Sequence, residues 1–434
     1  MEKLFEGKKL LILGGNPETV PLVQIANEMG IRTIVSSARK TDPAKKFAWK
    51  AHDYEGMETD VWVRYIHDEG IDGVLVGVAD ILVPAYSRIC EAVGFPCYAT
   101  EKIVSVLSAK DKFKTTCEKF GIKGIPEYRF NDDGTYAGKD PVRYSVMVKP
   151  VDNGGGVGMS LVHHSEDMPA AIRKALDHSK QKRFIVEKYM DCDDIGMYFT
   201  FKDGECSLSC IFDRYTTHLQ DGFSRVNTMS IYPSKYLETF NRKYRERFEK
   251  MFADLGIRDG VLLIAAFVED DEFYVYDPGF RFQGEAPHLL IKDINGFDQR
   301  EMLIRFALTG SQGDLDLKKA DDPAFRGKYA STLWFLLREG VIGKIEGLEE
   351  ITKLPYVHYS VQRLREGDEV AGESVGTERQ VLTRLYIICD SEKELAKALK
   401  NCIEKVHVFD IHGNDMILPF VEAEKYIGGV LDES

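Results

Sequence analysis

The first hundred residues alternate short, wholly apolar runs with longer amphipathic ones. Leu10 to Leu13 is an aliphatic run without polar alternation and too short for a helix, which predicts a buried strand. Apolar positions in Pro21 to Met29 then recur at helical spacing and stop at Gly30, a residue suited to close a helix. The alternation continues with a strand over Ile31 to Ser36, a helix over Val61 to Glu69, a strand over Gly73 to Val78 and a helix over Ala85 to Val93. Strands of this kind separated by helices predict a parallel sheet covered on both faces. Gly14-Gly15-Asn16-Pro17 falls at the carboxyl end of the first strand, where open α/β sheets bind ligands. It is not GxGxxG, and a tight turn accounts for the glycines equally well.

From Ser108 the pattern changes. Lys110 to Phe120 reads as a basic amphipathic helix and Tyr144 to Lys149 as a strand that runs into a glycine loop, Asp152 to Met159. Phe184 to Met190 reads as a strand followed by an acidic turn, Asp191 to Asp194. Asp203-Gly204 and Asp270-Asp271 each separate two strand-like runs and predict hairpins. Tyr244 to Leu255 and Glu301 to Leu308 read as helices, and the polar stretch Ser311 to Lys328 as a linker. Beyond it, Val357 to Leu364, Val370 to Ala371 and Gln380 to Cys389 predict antiparallel strands. Ser391 with Glu394 forms a capping box ahead of a helix. The chain contains no internal repeat.

Composition narrows the class. At 434 residues the chain exceeds one ordinary domain. No apolar run reaches the roughly 18 residues that span a bilayer, and Met1 to Lys9 lacks the form of a signal peptide. A net charge of −13 without a concentrated basic face argues against nucleic acid. Eight cysteines without CxxC spacing suit a reducing cytoplasm rather than a disulfide framework or zinc ribbon.

Three segments carry candidate chemistry. Lys149 places a cation beside a loop with four glycines in five positions, whose backbone N–H groups could close over phosphate oxygens. With no local partner, a lysine at the end of a buried strand is costly unless an anion comes to it. Phe184 to Met190 exposes Glu187, Lys188 and Tyr189 at a strand end, where a carboxylate and backbone groups could accept an adenine amino group. In Tyr274 to Glu285, Asp277 ends an otherwise apolar strand as a hard-cation ligand would. Arg281, Gln283 and Glu285 then alternate as along one extended face, a guanidinium, amide and carboxylate suited to an oxyanion. Asp80, at the end of the third strand, either faces a cleft or caps a helix. Asp213-Arg214-Tyr215 either line a pocket or form an internal salt bridge.

These segments, in this order and spacing, resemble the ATP-grasp superfamily, most closely its biotin carboxylase and carbamoyl phosphate synthetase branch. The resemblance covers roughly residues 8 to 310. It implies an N-terminal parallel-sheet domain over 1–107, an ATP-grasp domain over 108–312 with a glycine-loop lid at about 123–192, and a mixed α+β domain over 313–434. It also implies ATP and Mg2+ as cofactors. Lys112 and Lys149 would contact phosphates under a loop that includes Asn153, Gly154, Gly155, Gly156 and Val157. Glu187, Lys188, Tyr189 and Met190 would hold adenine, Asp194 would meet the ribose, and Asp277 would bind magnesium. Arg281 would stabilise an acyl phosphate, and in the biotin carboxylase pattern Arg281, Gln283 and Glu285 bind and deprotonate bicarbonate.

Two positions depart from the family. Its first metal-binding acid falls here on Ala265, and the asparagine two places after the second acid on Gly279. The expectation is a ligase that activates a small carboxylate as an acyl phosphate for attack by an amine. A bicarbonate-activating carboxylase and an ATP-binding protein with reduced catalysis are the alternatives. A homodimer is common in the family.

Overall fold

The computed structural model describes residues 5–151, 157–218 and 225–432. The amino-terminal sheet has strands β1 (Lys9–Leu13), β2 (Arg32–Ser36), β3 (Lys50–His52) and β4 (Gly73–Val76), all parallel, in the order β3-β2-β1-β4. Leu10 to Leu13 is fully buried, as a strand covered by helices on both faces requires. The order reverses between β1 and β4, so a crevice opens at their carboxyl ends. Glu18, after β1, and Asp80, after β4, lie there. Asp80 begins the short 3-10 helix Asp80–Leu82 without capping it.

The next strands are β5 (Lys123–Gly124), β6 (Glu127–Tyr128), β7 (Val146–Pro150), β8 (Ser160–Val162) and β9 (Phe184–Lys188). β6, β9, β7 and β8 make a small antiparallel sheet. Helix Met168–Asp177 packs on it through Met168, Ala171, Ile172 and Ala175, the i, i+3, i+4, i+7 set of one helical face. With Val146, Val148, Val162 and Val186 these residues form a core of their own. Burying Ile172 alone contributes about 1.5–3 kcal/mol.

β10 (Asp193–Lys202), β11 (Glu205–His218), β12 (Arg225–Tyr232), β13 (Gly260–Glu269) and β14 (Glu272–Gly279) form the centre of a larger sheet. Both expected hairpins are present. Asp203 and Gly204 (φ 53° and 88°) and Asp270 and Asp271 (φ 51° and 61°) take the left-handed backbone that a two-residue turn between twisted strands demands. The acidic turn expected over Asp191 to Asp194 is shorter, since β10 already begins at Asp193.

The sheet continues into the carboxyl-terminal region. β15 (Tyr329–Leu336) pairs with β12, β19 (Val381–Cys389) with β15, and β17 (Val357–Gln362) with β19. The full order is β17-β19-β15-β12-β11-β10-β13-β14-β5. β16 (Gly340–Glu346), β18 (Glu369–Val370) and β20 (His407–Asp410) form a separate three-stranded sheet. The Ser391 hydroxyl accepts from the Glu394 backbone N–H at 3.3 Å and caps helix Glu392–Lys405 as expected.

The polar stretch Ser311 to Lys328 is not a free linker. Leu317 and Phe325 are fully buried, and the Gln312 amide donates to Phe201 O at 2.7 Å. Asp321 accepts from Ser209 Oγ at 2.6 Å and from the Asn295 amide at 3.1 Å. Its polar side chains face inward to satisfy one another, which a count of polar residues does not reveal.

Candidate active site

A cleft of about 700 Å³ runs between the small antiparallel sheet, the centre of the large sheet and the crevice of the amino-terminal sheet. Lys149, Glu187, Lys188, Tyr189, Met190, Asp194, Asp277, Arg281, Gln283 and Glu285 all line it. Asn153, Gly154, Gly155 and Gly156 lie outside the described residues. Val157 is exposed and not part of the lining.

At one end, β7 and β9 pair with Met147 opposite Glu187, so Lys149 and Glu187 share a face one step apart. Lys149 Nζ meets Glu187 Oε2 at 2.5 Å, both side chains largely buried. Lys149 therefore has a local partner, which the isolated strand did not reveal. Lys188, on the opposite face of β9, pairs with Glu269 at the end of β13 and ties the small sheet to the large one. Ile125, Met147, Met190, Leu263 and Phe267 supply apolar walls beside these charges, the mixture a planar heterocycle with polar edges needs.

Helix Lys110–Lys119 starts at the cleft. Its first residue, Lys110, lines the cleft with Nζ 4.0 Å from Asp277. Lys112 is exposed and not among the lining residues, because residues two apart point to different sides of a helix. Asp277 stands near the end of β14 directly across from Ala265 of β13. Its side chain is 62 % exposed at the tip. Desolvation by the surrounding walls nevertheless pushes its carboxyl above the ordinary range, against the pull of Lys110.

The other end departs from the extended strand expected for Arg281 to Glu285. β14 stops at Gly279, and the five residues form a loop ahead of helix Pro287–Asn295. Arg281 donates to Phe282 O at 2.7 Å and Gln283 Oε1 at 2.9 Å, and ion-pairs with Asp80 from the amino-terminal crevice. The Gln283 amide donates to Gly279 O at 2.8 Å and Arg281 O at 2.9 Å. Gln283 is thus spent bracing the loop that aims Arg281. Glu285 is held by Arg214 of β11, with Nη2 at 2.8 Å and Nε at 3.4 Å. Arg214 also reaches Asp194 at 3.4 Å, which accepts from Tyr276 Oη at 3.0 Å. Burial raises the Asp194 carboxyl, with Arg214 and Tyr276 opposing the shift.

Arg384 of β19 closes this end from below. Its guanidinium, 0 % exposed, bonds Glu18 at 2.9 Å, Glu378 at 2.7 Å and Gly284 O at 2.5 Å. It stacks 4.0 Å from the ring centroid of Trp334. Arg214 combines both readings open from sequence, pocket lining and internal ion pair. Arg384, Trp334 and Glu18 were not singled out at all. A buried arginine in an apolar run, Val381 to Cys389, was the one available signal, since such a charge demands partners.

Residues 129–277 match the family model for the D-ala D-ala ligase C-terminus. A formate-dependent phosphoribosylglycinamide formyltransferase of Prochlorococcus marinus is 24 % identical over 193 residues, 44 % of this chain and 49 % of the relative. A D-alanine–D-alanine ligase of Tropheryma whipplei is 26 % identical over 218 residues, 46 % of this chain and 58 % of the relative. These matches span about half the length of the relatives. Among solved structures, an L-amino acid ligase from Bacillus licheniformis superposes with a TM-score of 0.74 at 18 % identity, over 93 % of this chain and 99 % of that one. The matched region holds strands β7, β8 and β9 of the small sheet and Asp277, and the fold extends over nearly the whole chain. The chain has the ATP-grasp fold, with the family match confined to residues 129–277.

Proposed function

We propose that this protein is an ATP-dependent ligase that activates a small carboxylate as an acyl phosphate, which an amine then attacks. The observation that carries the reading is one cleft lined by Lys149, Glu187, Asp277 and Arg281 together with the apolar side chains of Met147, Met190, Leu263 and Phe267. The relatives named above, two of them D-alanine and L-amino acid ligases, support the same class.

In this reading adenine enters between Met147 and Met190 beside Glu187, Asp194 faces the ribose, and Lys149 turns from Glu187 to the phosphates. The loop with Asn153, Gly154, Gly155, Gly156 and Val157 covers them, and Lys112 approaches from outside. Asp277, with its carboxylate facing the cleft, fits one divalent ion arriving with the nucleotide. Magnesium so held would neutralise phosphate charge. Arg281 releases Asp80 to bind the acid carboxylate and, once the γ-phosphoryl group has moved, the charge on the acyl phosphate. Glu285 and Gln283 keep the arginine loop in place. Catalysis is then mainly positioning and charge neutralisation. The small sheet, with its own core, acts as a lid that excludes water.

We propose the divisions 1–107, 108–312 and 313–434 as working units, with the lid at about 123–192, in a cytoplasmic homodimer. Among the described residues no cysteine is joined in a disulfide, in keeping with a reducing compartment. Among the described residues no helix is long and apolar enough to cross a membrane.

The test is ADP release over pools of small acids and amines with magnesium present. A productive pair is expected, and both Arg281→Ala and Lys149→Ala should lower its turnover by about 10²–10³-fold, the usual cost of losing a charge-stabilising donor. Full activity in both variants overturns the site assignment.

A further inference from the structure

The carboxylates of the cleft are already committed, with one exception. Glu187 is bound by Lys149, Asp194 and Glu285 by Arg214, Glu378 by Arg384 and Asp80 by Arg281. Asp277 remains, and the neighbouring carboxylate that acts on it, Asp80, is itself held by Arg281. The residue directly opposite it in the antiparallel pair is Ala265. Such opposed residues share a face with Cβ atoms about 4.5–5.5 Å apart, and a methyl group there coordinates nothing. The next residue on that face of β14 is Gly279, where an added Cβ would meet the Gln283 amide nitrogen at 2.7 Å. That space is filled by the amide that braces the arginine loop. Among the described residues no group of three or more His, Cys, Asp or Glu is placed to hold a metal.

A cation stands there instead. Lys110 Nζ lies 4.0 Å from Asp277, and the side chain is 58 % exposed into the cleft. One turn further along the helix, Lys114 is turned away and donates to Ile125 O and Glu127 at 2.6 Å. Lys110 is thus the lysine of this helix that faces the cleft. A six-coordinate divalent ion with a single protein carboxylate relies on waters and substrate phosphates for its other ligands, whereas the lysine ammonium already brings a compact positive charge to the site.

We infer that Lys110 supplies positive charge that a second divalent ion would otherwise bring to the nucleotide phosphates, so that nucleotide binding depends only weakly on magnesium. This rests on the ATP-binding reading above. Lys110 acts twice: it attracts phosphate directly, and it competes with a divalent ion for Asp277.

The experiment is titration with a non-hydrolysable ATP analogue, by calorimetry, in excess EDTA and in excess Mg2+. The intact protein should bind in EDTA, with magnesium tightening the affinity by less than about tenfold, equivalent to 1.4 kcal/mol. Lys110→Ala should weaken binding in EDTA by about tenfold and enlarge the gain from magnesium. Ala265→Glu, which sets a second carboxylate across from Asp277, should enlarge that gain without the loss of Lys110. Melting curves of both variants separate these effects from misfolding. The inference is overturned if magnesium tightens binding a hundredfold or more in the intact protein, or if Lys110→Ala leaves the EDTA affinity unchanged. Absence of binding in both conditions sinks the ATP-binding reading itself and the inference with it.

Discussion

The two ends of the cleft carry similar charges held by different means. At the Lys149 end, the paired groups come from neighbouring strands of one small sheet, and the hydrogen-bonded register alone brings them together. At the Arg281 end, the loop is pinned by Asp80, 201 residues away in sequence, while Arg384 joins Glu18 and Gly284 across 366 and 100 residues. The first end depends on local structure. The second exists only when three distant stretches of chain have come together, so its geometry is coupled to the stability of the whole molecule. Substitutions should separate the two: damage at the first should cost binding, and damage at the second should cost stability as well.

The largest effect is expected at Arg384. Its removal leaves Glu18, which is buried, with only Arg363 at 3.6 Å, and frees Gly284 O and Glu378. Breaking a buried pair in this way costs about 3–5 kcal/mol, and Arg384→Ala should show the lower part of that range in urea unfolding. The same variant should weaken any substrate contact made through Arg281, yet leave nucleotide-analogue affinity nearly intact if the ends are as separate as they look. Equal losses at both ends would break the comparison.

Asp321 offers a subtler probe, because it fastens the segment Ser311 to Lys328 to β11 and to helix Pro287–Asn295, which follows the arginine loop. Burial raises its carboxyl to about 6 from the usual 3.8, although Ser209 and Asn295 donate to it. A carboxyl with a raised folded pKa stabilises fully below its unfolded pKa, and that contribution is lost as pH rises through the folded value. Stability should therefore decline between about pH 4 and pH 6, by up to about 3 kcal/mol for a shift of two units. Asp213, also raised to about 6 by burial, contributes a slope of the same sign. Asp321→Asn keeps the shape and should flatten about half of that slope in melting curves across this range. An unchanged slope rejects the assignment.

The contrast also explains what was legible from sequence. The strands β1, β2, β4, β7, β9, β13 and β14, the two hairpins and the capped helix at Ser391 all follow local patterns of period and turn chemistry. Lys149, Glu187 and Asp277 stand at strand ends that short motifs mark, and the structure lines one cleft with them. The Arg281 to Glu285 segment misled because alternating polar residues resemble an edge strand, whereas Gln283 folds back on Gly279 and Arg281. Helix Lys110–Lys119 was legible, but which lysine faces the cleft depends on its rotation against the sheet. Arg384 was hidden because Glu18 and Gly284 lie 366 and 100 residues away, and no periodicity encodes such a meeting.

The smallest effect is expected at Gly279, and it bears on both ends at once. The backbone there is not in the left-handed region, so alanine meets no conformational penalty; the obstacle is the Gln283 amide nitrogen, 2.7 Å from the added Cβ. The end of a glutamine side chain can move, but this one is 6 % exposed, and its amide nitrogen donates two hydrogen bonds while its oxygen accepts a third. Losing one of them costs about 1 kcal/mol, so Gly279→Ala should be folded and only slightly less stable. Its turnover should fall further than its stability, because Gln283 Oε1 is what orients the Arg281 guanidinium. Adding Gln283→Ala removes both the obstacle and the brace. If that double variant regains stability but not turnover, Gln283 acts by aiming Arg281; if turnover returns too, the glutamine is filler and the arginine finds its place unaided.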